Sequence, residues 1–366
     1  MIALLMKNKT RLFFIFLFIV LAGCGRTIPE TYNYRYDQDS YDHQVKAGEV
    51  LGSLSLDRET EDRILALDPE NITEKDVRDI LSHAPAPRII NIHGGMSSVY
   101  IVMVSLSKFL MSMGYPENSL RNPADGTYSY SCLKNVKEFT GIIGWYYERE
   151  GMMPIIIGHS QGGMMVIRIL HYLAGSEDSD LMVWNPVTET QEDRHTIIDP
   201  LEHKERPVAG LKLGYASSIA AGGTARLLLN QWDVVFRLRK IPDTVEEFSG
   251  FYLSWDSAGT DYLGLIDAPN RYRPVGSAGV RTIKLSGGSH FSLPDVQHLA
   301  EQPETREWVD EYRPDNEQIM NDEIIDKEYN IPLAGELWYH IKKYLAIEAQ
   351  RMIRARRDME KWQAVN

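Results

Sequence analysis

The chain has 366 residues, 43% of them hydrophobic and 25% charged, enough for one large α/β domain with insertions or for two small domains. A formal net charge of −12 argues against a nucleic-acid partner. Two cysteines, Cys24 and Cys132, imply no disulfide framework.

Lys7, Lys9 and Arg11 precede the apolar run 12–21, and small residues lead from there to Cys24. Residues 1–23 therefore read as a signal peptide, with an apolar run too short to span a bilayer. "LAGC", ending at Cys24, resembles the bacterial lipobox. That resemblance implies a lipidated Cys24 as mature N-terminus and a protein anchored in the bacterial cell envelope. Gly25, standing where Asp would signal inner-membrane retention, implies the outer membrane. Residues 24–47 are then a lipidated tether, polar and tyrosine-rich, although alternation of Tyr32, Tyr34 and Tyr36 also fits a short edge strand.

Residues 48–87 form an N-terminal helical segment: a short helix over 58–67, stopped by Pro69, then a Thr73/Asp76 capping box opening a helix to about residue 81. From residue 88 the pattern changes. "RIINIHGG" reads as a strand running into His93-Gly94-Gly95, and 99–113 as a helix stopped by Gly114 and Pro116. A polar loop and a helix over 132–149 follow. Then come a strand at 154–158, a polar "GHSQGG", and a helix over 164–173. Strands alternating with helices of these lengths predict a mostly parallel sheet with helices on both faces.

A strand entering and a helix leaving G-x-S-x-G is the context of a nucleophile elbow. The cramped turn requires neighbours without side chains at 158 and 162, and the helix N-terminus aims amide donors at the Ser160 hydroxyl. "GHSQGG" with "HGG" upstream resembles the bacterial lipase and esterase branch of the α/β-hydrolase superfamily. The resemblance spans residues 88–300 and is sharp only near 90–96 and 154–170. It implies an α/β-hydrolase fold and an oxyanion hole built from the amides of Gln161 and of Gly95, with Met96 competing for the second place. It also implies a carboxylic ester, acyl or lipid-like, as substrate.

In this fold the base follows the acid, which follows the serine. His171 lies within the helix after the elbow, His195 and His203 in a charged insertion, and His298 and His340 in helical regions. His290 follows the strand-like "VRTIKL" and the loop "SGGS", which suits the base. For the acid, Asp256 ends the strand-like "GFYLSWD", while Asp233 in "LLLNQWDVVF" is the rival. The apolar spacing over 224–240 is closer to a helical period, and this favours Asp256.

Residues 176–250 exceed one βα connection. They read as a sheet strand at "VAGLKLGY" plus helices over 224–240 and 243–249; the resemblance implies that they form an inserted helical cap, in which Trp232, Phe236, Phe248 and Phe251 either line an apolar acyl pocket or, for each singly the stronger reading, pack as core. Residues 301–366 read as a C-terminal helical extension. Its last helix, with Leu337, Ile341, Leu345 and Ile353 on an apolar face, packs on the body and leaves a charged face in water; the lesser alternative is that its arginines at 351, 354, 356 and 357 meet anionic lipid. No metal-ligand spacing and no Walker or dinucleotide fingerprint occurs, so the reading requires no cofactor and no metal. An acyltransferase or thioesterase would use the same triad, and a non-catalytic envelope lipoprotein could share the scaffold.

Overall fold

The structure, a computed structural model, describes residues 50–175, 181–227, 232–315 and 323–365. The expected signal peptide, Cys24 and the expected tether lie outside the described residues. Helices α1 (Arg58–Leu65) and α2 (Glu74–Asp79) come first. Thr73 Oγ1 accepts the Asp76 amide while the Asp76 carboxylate accepts the Thr73 amide, which is the expected capping box. There follow β1 (Ile89–His93), α3 (Ser97–Ser112), β2 (Tyr130–Ser131), α4 (Val136–Glu150), β3 (Ile155–His159) and α5 (Gln161–Leu173). After them come β4 (Leu213–Ile219), β5 (Val245–Leu253), β6 (Gly279–Leu285), α6 (Pro303–Glu311) and α7 (Ile331–Val365).

The six strands form one parallel sheet in the order β6-β5-β4-β3-β1-β2. Because β1 and β3 are neighbours while β2 lies outside β1, the chain reverses direction across the sheet between β1 and β3. In open α/β sheets the crevice beyond the carboxyl ends at such a switch point is where ligands bind. The central strands are buried on both faces, so they read as near-continuous apolar runs. Ile89, Ile155 and Ile157 join one core cluster with Phe109 of α3 and Leu337 of α7; Ile90, Ile92 and Ile156 join a second with Phe139 of α4 and Met165 of α5. Each such side chain contributes about 1.5–3 kcal/mol on full burial.

Several expectations need correction. The helix expected over 132–149 begins at Val136, because the chain first adds β2 to the sheet. There is no helical cap among the described residues of the insertion. Two small antiparallel hairpins (Trp184–Asn185 with Thr190–Gln191, Thr196–Ile198 with Glu205–Pro207) precede β4. The region expected as a helix over 224–240 shows one 3-10 turn (Gly223–Leu227) and further turns. The helix expected over 243–249 is β5, the second strand in from the sheet edge. Its Glu246 and Glu247 mimic a helical first turn, but Glu247 instead pairs with His340 and Lys343 of α7. The helix from residue 331 packs on the body as expected, but most of its charged side chains do not stay in water. Glu336, His340, Lys342, Lys343, Glu348 and Arg356 are buried against the body, and Arg351, Arg356 and Arg357 pair with Glu348 and Glu61. The first described residues, Val50 and Leu51, share one core cluster with this helix and the sheet.

Candidate active site

Three side chains far apart in sequence meet at the carboxyl edge of the sheet. Nε2 of His290 lies 2.8 Å from Oγ of Ser160, and its Nδ1 lies 2.7 Å from Oδ2 of Asp256. All three residues are buried. A carboxylate oxygen only accepts, so it draws the ring proton to Nδ1 and leaves the Nε2 lone pair for the serine O–H.

Ser160 stands between β3 and α5 with φ 60° and ψ −122°, a left-handed conformation costing a non-glycine residue about 1–3 kcal/mol. Its amide donates to Ile219 O of β4 (2.9 Å), and its carbonyl accepts the Met164 amide (3.2 Å), so the turn is held from both sides. The flanking glycines are there for close approach. A Cβ on Gly158 would sit 2.2 Å from Gly162 O, and one on Gly162 would sit 2.0 Å from Ile92 O at the end of β1.

Asp256 lies just beyond β5, as the strand assignment for its approach requires. Its Oδ1 accepts the amides of Ala258 (2.8 Å) and Gly259 (2.9 Å), which orients Oδ2 toward the imidazole. Asp233 is elsewhere: its Oδ2 meets Nε of Arg168 on α5 at 2.8 Å. Of the other histidines, His171 Nε2 meets Lys240 O, His298 meets Glu328, and His340 lies between Glu247 and Glu336. His195 and His203 belong to the hairpin region of the insertion.

The HGG loop lies against the serine, since a Cβ on Gly94 would be 3.0 Å from Ser160 Cβ. Gln161 is the first residue of α5, where the amide has no acceptor within the helix. The Gly95 amide donates to the Gln161 side-chain Oε1 (3.0 Å), so Gln161 contributes a second, self-occupying contact that the motif did not reveal. Cys132, a buried thiol, lies with Sγ 3.8 Å from the same Oε1. His159, read in the sequence only as spacing, is fully buried with its ring 5.0 Å from that of His290. Burial first, and the neighbouring His290 second, push its pKa well below the ordinary histidine range, so it adds no charge beside His290.

The four aromatic residues weighed as acyl pocket or as core divide and form no shared pocket. Phe248 and Phe251 sit on β5 pointing into opposite cores, whereas Trp232 and Phe236 are exposed. Among the described residues, no His, Cys, Asp or Glu side chains are grouped to hold a metal ion, and no described helix is long and apolar enough to cross a membrane. No family model and no curated protein matches this chain.

Proposed function

We propose that this chain is a serine-dependent carboxylic ester hydrolase of lipase or esterase type, built on an α/β-hydrolase fold. The supporting observation is the relay from Ser160 Oγ through His290 to Asp256, at 2.8 and 2.7 Å, on a strained turn at the sheet's switch point. His290 Nε2 takes the hydroxyl proton as Oγ forms its bond to the ester carbonyl carbon, and Asp256 stabilises the imidazolium. The tetrahedral intermediate collapses when the C–O bond to the alcohol breaks and the imidazolium returns its proton to the leaving oxygen. Water then attacks the acyl-enzyme by the same route and releases the acid.

The oxyanion forms beside the α5 N-terminus, with the Gln161 amide as one donor. Charge-assisted hydrogen bonds are about twice as strong as neutral ones. A developing oxyanion therefore displaces Gln161 Oε1 from the Gly95 amide and recruits it as the second donor.

Lipid on Cys24 would hold the enzyme at the envelope membrane, in the outer membrane by the Gly25 criterion, close to acyl or lipid-like esters. Mass spectrometry of the mature N-terminus tests the anchor: an unmodified N-terminus elsewhere removes it. A fluorophosphonate probe tests the chemistry. Labelling should fall on Ser160 and vanish in Ser160→Ala; labelling that persists in the alanine variant would overturn the proposal.

A further inference from the structure

An acidic chain has gathered cationic side chains at one place beside this site. A cavity of about 750 Å³ opens at the carboxyl edge of the sheet, in the range of small-molecule sites. Arg226, Arg239, Lys240, Arg271 and Arg273 line it, against the single carboxylate of Asp261. That carboxylate is already engaged by Arg226 (2.5 Å), Arg239 (3.2 Å) and the Gly223 amide (3.3 Å). Arg271 and Arg273 are exposed and form no salt bridge with a described residue; Asp267, whose field reaches Arg271, is bonded to Tyr252 and Lys284.

The cations are not fully served by the protein. Nε of Arg226 and Nη1 of Arg239 are buried without a hydrogen-bond partner. A buried charged donor left unpaired is costly, and native proteins rarely keep one without a reason. Burial, and the second guanidinium of Arg239, also depress the Arg226 pKa despite Asp261. An anion held in the cavity would add the counter-charge that Asp261 alone does not supply to the lining cations.

The cavity shares a wall with the triad. Ser257 and Thr260 of the loop that begins at Asp256 line it. Nη2 of Arg239 lies 2.6 Å from where a Gly222 Cβ would sit, and Gly259 O lies 3.2 Å from the same point. On its own account a Gly259 Cβ would fall 2.7 Å from both His290 Cε1 and Asp256 Oδ2. One layer of glycine backbone therefore separates the Arg239 guanidinium from the catalytic imidazole. Phe236 and Tyr262 add exposed apolar wall at the mouth.

We infer that this cavity is a subsite for an anionic group, a carboxylate or phosphate, carried by the ester substrate some bonds away from the scissile carbonyl. The inference rests on the ester-hydrolase reading and sharpens it: the substrate class is an anionic ester rather than a neutral one. Guanidinium forks match both anions bidentately.

The test compares matched esters at low salt: p-nitrophenyl butyrate with the p-nitrophenyl monoester of glutaric acid, and monobutyrylglycerol with its 3-phosphate. At least one anionic member should be preferred about tenfold or more in kcat/KM. Arg271→Gln/Arg273→Gln, two exposed substitutions, should erase most of that preference and leave the neutral ester unchanged. In Ser160→Ala, glutarate or glycerol 3-phosphate should bind by calorimetry, and the added double substitution should weaken binding by about tenfold. Absence of anion binding in Ser160→Ala, or a preference untouched by the double substitution, overturns the subsite. Anion binding with no preference between matched esters overturns the assignment to substrate and leaves a free anion as the ligand. If the cavity binds anions while Ser160 neither labels nor turns over the neutral ester, the hydrolase reading fails and the anion site stands.

Discussion

Two buried histidines, one at the carboxyl edge of the sheet and one in α7, invite comparison. His290, at the carboxyl edge, has a carboxylate on Nδ1 and a hydroxyl on Nε2. His340, in α7, has carboxylates on both nitrogens, Glu247 at 3.0 Å and Glu336 at 3.1 Å. Two acceptors demand two donors, so His340 is held as an imidazolium. Burial pulls its pKa down, but the hydrogen bonds and charges of Glu247 and Glu336 outweigh this and raise it. His290 has only one obligatory acceptor and keeps a lone pair for the serine proton. The same residue, equally hidden from water, suits the proposed base or a structural cation according to its second partner.

The comparison breaks first at Ser160. Ser160→Ala should lower kcat for p-nitrophenyl butyrate by about 10⁴-fold or more with the fold intact by circular dichroism. Asp256→Asn keeps the size of the side chain but loses its charge and favours the wrong tautomer, so kcat should fall by about 10³–10⁴-fold. Asp233→Asn, which touches only the Arg168 pair, should stay within about twofold in rate.

The α7 side should behave in the opposite way. Glu336→Ala removes the buried carboxylate shared by Arg281 and the His340 imidazolium and leaves each with only one carboxylate partner, at a cost of about 3–5 kcal/mol in urea unfolding. The kcat of the folded fraction should not change. An unchanged unfolding midpoint would mean the buried charges are not coupled as their geometry requires.

pH gives the α7 cluster a signature of its own. Burial opposes ionisation of Glu336 and Glu247, but the hydrogen bonds and charge of His340 hold both down to about 2. With folded values depressed, their stabilisation is present above the ordinary 4.5 and is lost as pH falls toward 2. His340 has the opposite sign: its stabilisation is complete below the ordinary 6.5 and is lost as pH rises through its raised value. Stability should therefore crest between about 4.5 and 6.5. His340→Gln should flatten both flanks in unfolding midpoints measured from pH 2 to 9, and a profile unchanged by that substitution would assign the dependence to other groups.

The smallest expected effect tests strain at the elbow. Ser160→Gly removes the nucleophile but relaxes φ 60°, so it should raise stability by about 1 kcal/mol relative to Ser160→Ala. Equal melting temperatures for the two variants would locate the strain elsewhere.

Local pattern alone was enough for the strands at 89–93 and 155–159, the helices that follow them, and the order Ser160, Asp256, His290. Buried parallel strands are continuous apolar runs and a cramped turn needs glycine, and both are properties of neighbours in sequence. The Thr73/Asp76 cap was legible for the same reason. Long-range contacts decided the rest. Residues 243–249 carry acidic residues after a proline and look like a helix start, yet they enter the sheet because β4 and β6 offer hydrogen bonds on both sides and α7 offers His340 and Lys343 to Glu247. Phe248 and Phe251 became core rather than acyl pocket once that strand was placed. Nothing in the spacing of α7 foretold that its charged residues would be buried, because their partners, Glu61, Glu247 and Asp310, lie tens to hundreds of residues away. The cationic cavity was equally hidden: its five basic residues are spread over 226–273, and only the packing of the loops after β4 and β5 makes them converge on one space.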